Sequence, residues 1–143
     1  MTRIDFYLTQ TGNERQRLLT ACRLVEKVNK LGHHVFIYAD KAEQVQQLDE
    51  LLWTFRDGSF LPHTTSDAAD ANRHSVVMGT RHQEDSAHDV MINLAGSVPD
   101  CFSRFERVAE IVGGIEDEKQ AARQRFKFYR DRGYALETHE LRN

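Results

Sequence analysis

The chain has 143 residues, of which 40% are hydrophobic, and a formal net charge of −3. That is ample material for one core, and it predicts a single domain over 1–143. No run approaches the ~20 apolar residues of a membrane span, the mixed charges argue against wholesale disorder, and the opening MTRIDFYLTQTG has no apolar leader. A cytoplasmic protein with no membrane partner is expected.

Residues 3–9, RIDFYLT, read as a strand, being rich in aromatic and β-branched side chains. Asn13 suits the N-cap of a helix over about 14–31, where Leu18, Cys22, Val25 and Val28 keep helical spacing. Gly32 suits its end. HHVFIYA, 33–39, is a nearly continuous apolar run, as a strand buried on both faces requires. Asp40 suits the cap of a second helix over about 41–55, built on Val45, Leu48, Leu52 and Phe55. Two strand–helix units in succession predict an α/β protein with a mostly parallel sheet. A long polar connection, 56–74, precedes strands in SVVMG and DVMINLA. A short helical turn and a strand are expected within 102–112. The next helix starts at the acidic run Glu116-Asp117-Glu118 and ends at Gly133. YALETHEL reads as a last edge strand.

Catalytic motifs are missing from the sequence. There is no G-x-x-x-x-G-K-[ST], no G-x-G-x-x-G and no G-x-S-x-G. Nothing supplies the Lys and Ser/Thr that an NTPase needs for phosphates and magnesium. The seven histidines are scattered, without C-x-x-C or H-E-x-x-H spacing, so no metal or other cofactor is expected. Asp40 and Asp89 stand near predicted strand ends, where α/β active sites keep carboxylates, but capping explains Asp40 more simply. Of the two cysteines, Cys22 falls on the apolar side of its helix and reads as buried.

Two features point to binding. Lys119, Arg123, Arg125, Lys127, Arg130 and Arg132 crowd one short segment, opposed there only by Asp131. On a helical wheel Lys119, Arg123, Lys127 and Arg130 share a stripe, with Phe126 on its edge. Ala121, Ala122, Phe128 and Tyr129 turn toward a core. Cations beside a ring suit a ligand that is both anionic and apolar, such as an acidic peptide tail or single-stranded nucleic acid. An ordinary solvated face is the plain alternative. The second feature is Trp53, which lies off its helix's apolar seam and is followed by Phe60 and Pro62. It is either a partner anchor or part of a loop that folds over the helix end, with Phe60 in the core.

Several segments carry a family resemblance in order. They are Phe6-Tyr7-Leu8; Leu48-Asp49-Glu50-Leu51-Leu52-Trp53; Ser59-Phe60-Leu61-Pro62-His63; Asp89 to Leu94; and Lys119 to Arg130, followed by Gly133-Tyr134. Over nearly its full length the chain resembles the chi subunit family of the bacterial DNA polymerase III holoenzyme. The resemblance implies a three-layer α/β/α fold, Rossmann-like without a phosphate-binding loop. It implies a clamp-loader accessory protein with no catalysis of its own. Two partners are implied: the acidic C-terminal tail of single-stranded-DNA-binding protein, which ends in a phenylalanine carboxylate, and the psi subunit. Single-stranded DNA would be reached only indirectly.

By position, Lys119 and Arg123 match the principal tail-binding cations, and Phe126 stands where the family often has tyrosine. Lys127 and Arg130 extend the stripe, and Val112 would line an apolar pocket. Trp53, Phe60, Pro62 and His63 match the psi-binding loop. Gly113 and Gly114 depart from the family pattern, so the pocket rim is expected to differ. A direct single-stranded-nucleic-acid module using the same helix is the second reading, and the net charge of −3 counts against it. A small α/β enzyme acting on a nucleotide would have the fold class but none of the residues.

Overall fold

A computed structural model describes residues 1–56, 61–68, 71, 74–82 and 88–141. In chain order the elements are β1 (Arg3–Leu8), α1 (Glu14–Lys30), β2 (Val35–Tyr38), α2 (Ala42–Thr54), β3 (Thr64–Thr65) and β4 (Val76–Gly79). Then come β5 (Val90–Asn93), a 3-10 turn (Phe102–Arg104), β6 (Arg107–Val112), α3 (Glu116–Asp131) and β7 (Ala135–Glu140). Among the described residues seven strands form one sheet in the order β3-β4-β2-β5-β6-β1-β7, with every pairing between them parallel.

The helices cover both faces, as parallel strands require. On one face Leu18, Cys22 and Val25 of α1 and Leu48 and Leu52 of α2 pack over Ile37, Met78, Ile92 and Ile111. On the other, Ala122 and Tyr129 of α3 join Phe102 and Phe105 over Phe6, Met91, Val108 and Val112. Alternation along β6 divides it between the layers: Ala109 and Ile111 face α1, while Val108 and Val112 face α3. The result is a Rossmann-like three-layer α/β/α arrangement.

Local chemistry explains the element ends. Asn13 caps α1 by accepting the Gln16 N–H at 3.3 Å. Gly32 and Gly133 follow α1 and α3 at φ +94° and +81°, the left-handed region that favours glycine. Cys22 is fully buried, and that burial pushes its thiol up to about 12.

Three expectations need correction. Asp40 caps no helix: α2 begins behind Lys41 without a side-chain cap, and the Asp40 carboxylate accepts the Gly96 N–H at 3.1 Å. The polar connection 56–74 contains β3, whose two threonines pair with Val77 and Met78 of β4. Two residues paired on one side leave no periodic signal. HHVFIYA becomes strand only from Val35, because the His33 side chain and the His34 N–H both bond Asp89.

The histidines make stability depend on pH. The His82 ring packs against Phe36 and Phe105 at 5.0 and 4.7 Å between centroids, and neither nitrogen finds a partner among the described residues. Burial, helped by His88 and Arg104, lowers its pKa below the ordinary 6.5. Burial also lowers the pKa of His88, against the pull of its bond to the His74 carbonyl. Below about 6.5 the unfolded chain therefore binds more protons than the folded one. Stability should be full above that value and fall as pH drops through it. Thermal unfolding from pH 7.5 to 5.5 checks this; a flat profile, or one that His82→Phe leaves equally steep, contradicts it.

Candidate peptide-binding groove

α3 lies over β6 and β1 because positions 122, 125 and 129 turn inward while 119, 123, 127 and 130 face solvent. Between α3 and the β1–β7 edge it leaves an open groove of about 350 Å³. Phe6 and Leu8 of β1 and Val112 at the end of β6 form an apolar floor. Phe126 is half-buried, its ring 5.4 Å from that of Phe6. Lys119 and Arg123 stand on one lip, and Thr138 of β7 on the other. Thr9 fastens the floor, its backbone N–H and hydroxyl both donating to the Val112 carbonyl at 2.9 and 2.8 Å.

Val112, Lys119, Arg123 and Phe126 thus line one groove. Lys127 and Arg130 are exposed further along the same helix and do not line it. Phe6, Leu8 and Thr138 were not anticipated. The alternation of Ile4, Phe6 and Leu8 hinted at a shared face, but nothing in spacing revealed that β7 pairs β1 in the register Phe6–Thr138.

The basic run is thinner than its sequence suggests. Arg125 faces inward and is 5% exposed. Its Nε donates to Glu110 at 2.9 Å and a terminal nitrogen donates to the Gly96 carbonyl at 3.1 Å. Asn93 donates to both Glu110 oxygens at 3.0 Å, and the Tyr129 hydroxyl donates to one at 2.7 Å. Burial pushes the Glu110 carboxyl up, while the Arg125 charge and these donors pull it down; burial prevails. Arg132 lies over the Phe128 ring, 3.6 Å from its centroid. Arg123 pairs with Glu116 and Arg130 with Asp131, each at 3.3 Å and exposed.

Gly113 lines the groove, and Gly114 beside it packs against the chain after β1. The Gly114 N–H donates to the Thr11 carbonyl at 2.6 Å, and a Cβ at Gly114 would meet that oxygen at 2.9 Å. Backbone cannot yield as a side-chain end can. Gly114→Ala should therefore cost about 1–3 kcal/mol, in the range of overpacking. Denaturant unfolding measures this, and a loss below about 0.5 kcal/mol contradicts the tight approach.

A second hollow, of about 390 Å³, sits at the carboxyl ends of β2, β5 and β6, where nucleotide-binding α/β proteins place phosphates. Its lining disfavours a phosphate, since five carboxylates outnumber the three cations Arg17, Lys41 and Arg125. Glu14, Asp40, Glu43, Asp117 and Glu118 line it. The guanidinium of buried Arg17 is committed to the Ile111 and Leu94 carbonyls, at 3.1 and 2.8 Å, and to Glu14 at 3.0 Å.

Trp53, at the end of α2, is 51% exposed, and its ring centroid lies 4.3 Å from that of His63, the two planes tilted by 44°. The His63 side chain has no solvent exposure; Nδ1 donates to the Leu61 carbonyl at 2.7 Å and Nε2 lies 3.0 Å from Asp49. It stands beneath Trp53 as a support. Pro62 is exposed, and Phe60 lies outside the described residues.

Asp5, Glu137 and His139 bring possible metal-ligand atoms within 4.8 Å of one another, a cluster the scattered histidines did not suggest. Arg107 bonds Asp5 at 3.2 Å and Arg3 bonds Glu137 at 2.7 Å, so the carboxylates already carry cations. The His139 ring also stacks on Tyr7 at 4.8 Å. The cluster ties β7 to β1.

Fold and groove together define a Rossmann-like α/β protein that has no phosphate loop and has a cation-edged apolar groove on its outer helix. The family model described as "DNA polymerase III chi subunit, HolC" matches residues 1–137. The chain is 38% identical to the DNA polymerase III subunit chi of Pseudomonas aeruginosa, covering 99% of this chain and 98% of that one. It is 30% identical to the Escherichia coli protein of that name over 82% and 80% of the two chains. The Haemophilus influenzae protein is 28% identical over 85% of each. This chain belongs to the DNA polymerase III chi subunit family. No helix among the described residues is long and apolar enough to cross a membrane.

Proposed function

We propose that this chain is a non-catalytic accessory subunit of the replicative polymerase, acting in the cytoplasm as one α/β domain. It links the clamp loader to the acidic C-terminal tail of single-stranded-DNA-binding protein. The observation that carries this reading is the groove: an apolar floor of Phe6, Leu8 and Val112 beside Phe126, edged by Lys119 and Arg123. An aromatic end group would bury against the floor, and its carboxylate would pair with the Arg123 fork. Lys127 and Arg130, beyond the groove, would steer the acidic residues upstream. The half-exposed Trp53, resting on His63 beside Pro62, supports a second partner surface on α2. By their positions in the family pattern, Trp53, Phe60, Pro62 and His63 would form the surface for psi.

The test is titration with intact single-stranded-DNA-binding protein and with a form lacking its tail. Binding should require the tail and weaken as salt rises. Equal binding of both forms overturns the proposal. The exposed continuation of the basic row keeps direct single-stranded DNA binding as the second reading. A labelled oligonucleotide, titrated without the tail protein, separates the two; binding that persists at physiological salt favours DNA.

A further inference from the structure

Arg123 is the lip cation best shaped for a carboxylate, and it is already engaged. One terminal nitrogen donates to Glu116 Oε1 at 3.3 Å. Both side chains are 65% exposed, so the pair is weak and readily exchanged. Glu116, Lys119 and Arg123 share one helix face, at spacings of three and four residues. Glu116 does not itself line the groove, but it holds a carboxylate of the chain on Arg123, the lining group that an incoming carboxylate needs.

We propose that Glu116 is a built-in competitor for the Arg123 guanidinium, holding one terminal nitrogen that a ligand's terminal carboxylate takes over when it binds. The inference rests on the groove's being the tail site. Only a ligand that engages the guanidinium has to break the Glu116 pair. A ligand without a free terminal carboxylate gains its contacts elsewhere and leaves the pair intact. Removing the Glu116 charge should therefore favour the first kind of ligand over the second. A general electrostatic effect would favour all acidic ligands alike. Asp131 supplies the comparison: it pairs with Arg130 at 3.3 Å, both side chains also exposed, and neither residue lines the groove.

The test is calorimetric titration of the natural chain, Glu116→Gln and Asp131→Asn with an acidic peptide ending in phenylalanine, as the free acid and as the C-terminal amide. Glu116→Gln should tighten the free acid about threefold, within the range of an exposed ion pair. It should change the amide markedly less, and Asp131→Asn should not discriminate between them. Equal gains for acid and amide overturn the inference, as does a free acid that binds Glu116→Gln no more tightly than the natural chain. If the natural chain binds neither peptide, the tail reading fails and this inference fails with it.

Discussion

Arg123→Ala is expected to weaken an acidic, phenylalanine-ended peptide roughly 10- to 100-fold, the range of a charged hydrogen-bond pair. Thermal stability should hardly move. The Arg123 side chain is 65% exposed and its only described ion pair is the one with Glu116. Losing such a pair costs about 0–1 kcal/mol. The loss of binding should appear mainly as faster dissociation, because on the proposed reading the carboxylate contact forms at the end of docking, whereas Lys127 and Arg130 would act on encounter. Arg123→Lys should recover part of the affinity, since an ammonium keeps the charge and loses the fork. Calorimetry and unfolding on one sample give both numbers. Unchanged affinity in Arg123→Ala would remove the arginine from the site.

Arg125→Ala should do the opposite. Two residues along the same helix, this arginine is buried against Glu110 with Nε at 2.9 Å, and it also holds the Gly96 carbonyl. Truncation leaves a fully buried carboxyl without its cation, a defect worth about 3–5 kcal/mol. For a chain of this size that is a fall of roughly 10–20 °C in Tm. Glu110→Gln with Arg125→Met should recover much of the loss, since glutamine still offers an oxygen to Tyr129 and no buried charge remains. Scanning calorimetry of the single and double variants tests this. A loss below about 1 kcal/mol for Arg125→Ala would mean that the pair is not as dry as its geometry implies.

The contrast between these two arginines shows where the sequence is legible. Helical spacing correctly put Lys119, Arg123, Lys127 and Arg130 on an outer stripe. Arg125 belongs to the same basic run but not to that stripe, and spacing alone gives it no partner. Its inward role depends on Glu110, in a strand whose facing helix no local pattern announces. Strands and helices were legible wherever apolar periodicity or a cap was strong, as at Asn13, Gly32 and Gly133. Asp40 misled because an aspartate before a helix normally caps it, whereas here the Gly96 N–H takes its carboxylate. The groove's cations, Val112 and Phe126 were nameable from the family pattern. Its remaining floor, Phe6 and Leu8, and its far lip, Thr138, follow from the β6-β1-β7 order, which is a property of the whole sheet.

On the proposed reading the groove beside α3 accepts an acidic peptide with an aromatic carboxyl terminus. The most direct measurement is isothermal titration with a synthetic acidic peptide ending in phenylalanine with a free carboxylate, beside the same peptide lacking that residue. Binding of about micromolar strength is expected for the first and none for the second. Binding to neither, or to both alike, would contradict that reading and move the functional surface to Trp53 or to nucleic acid.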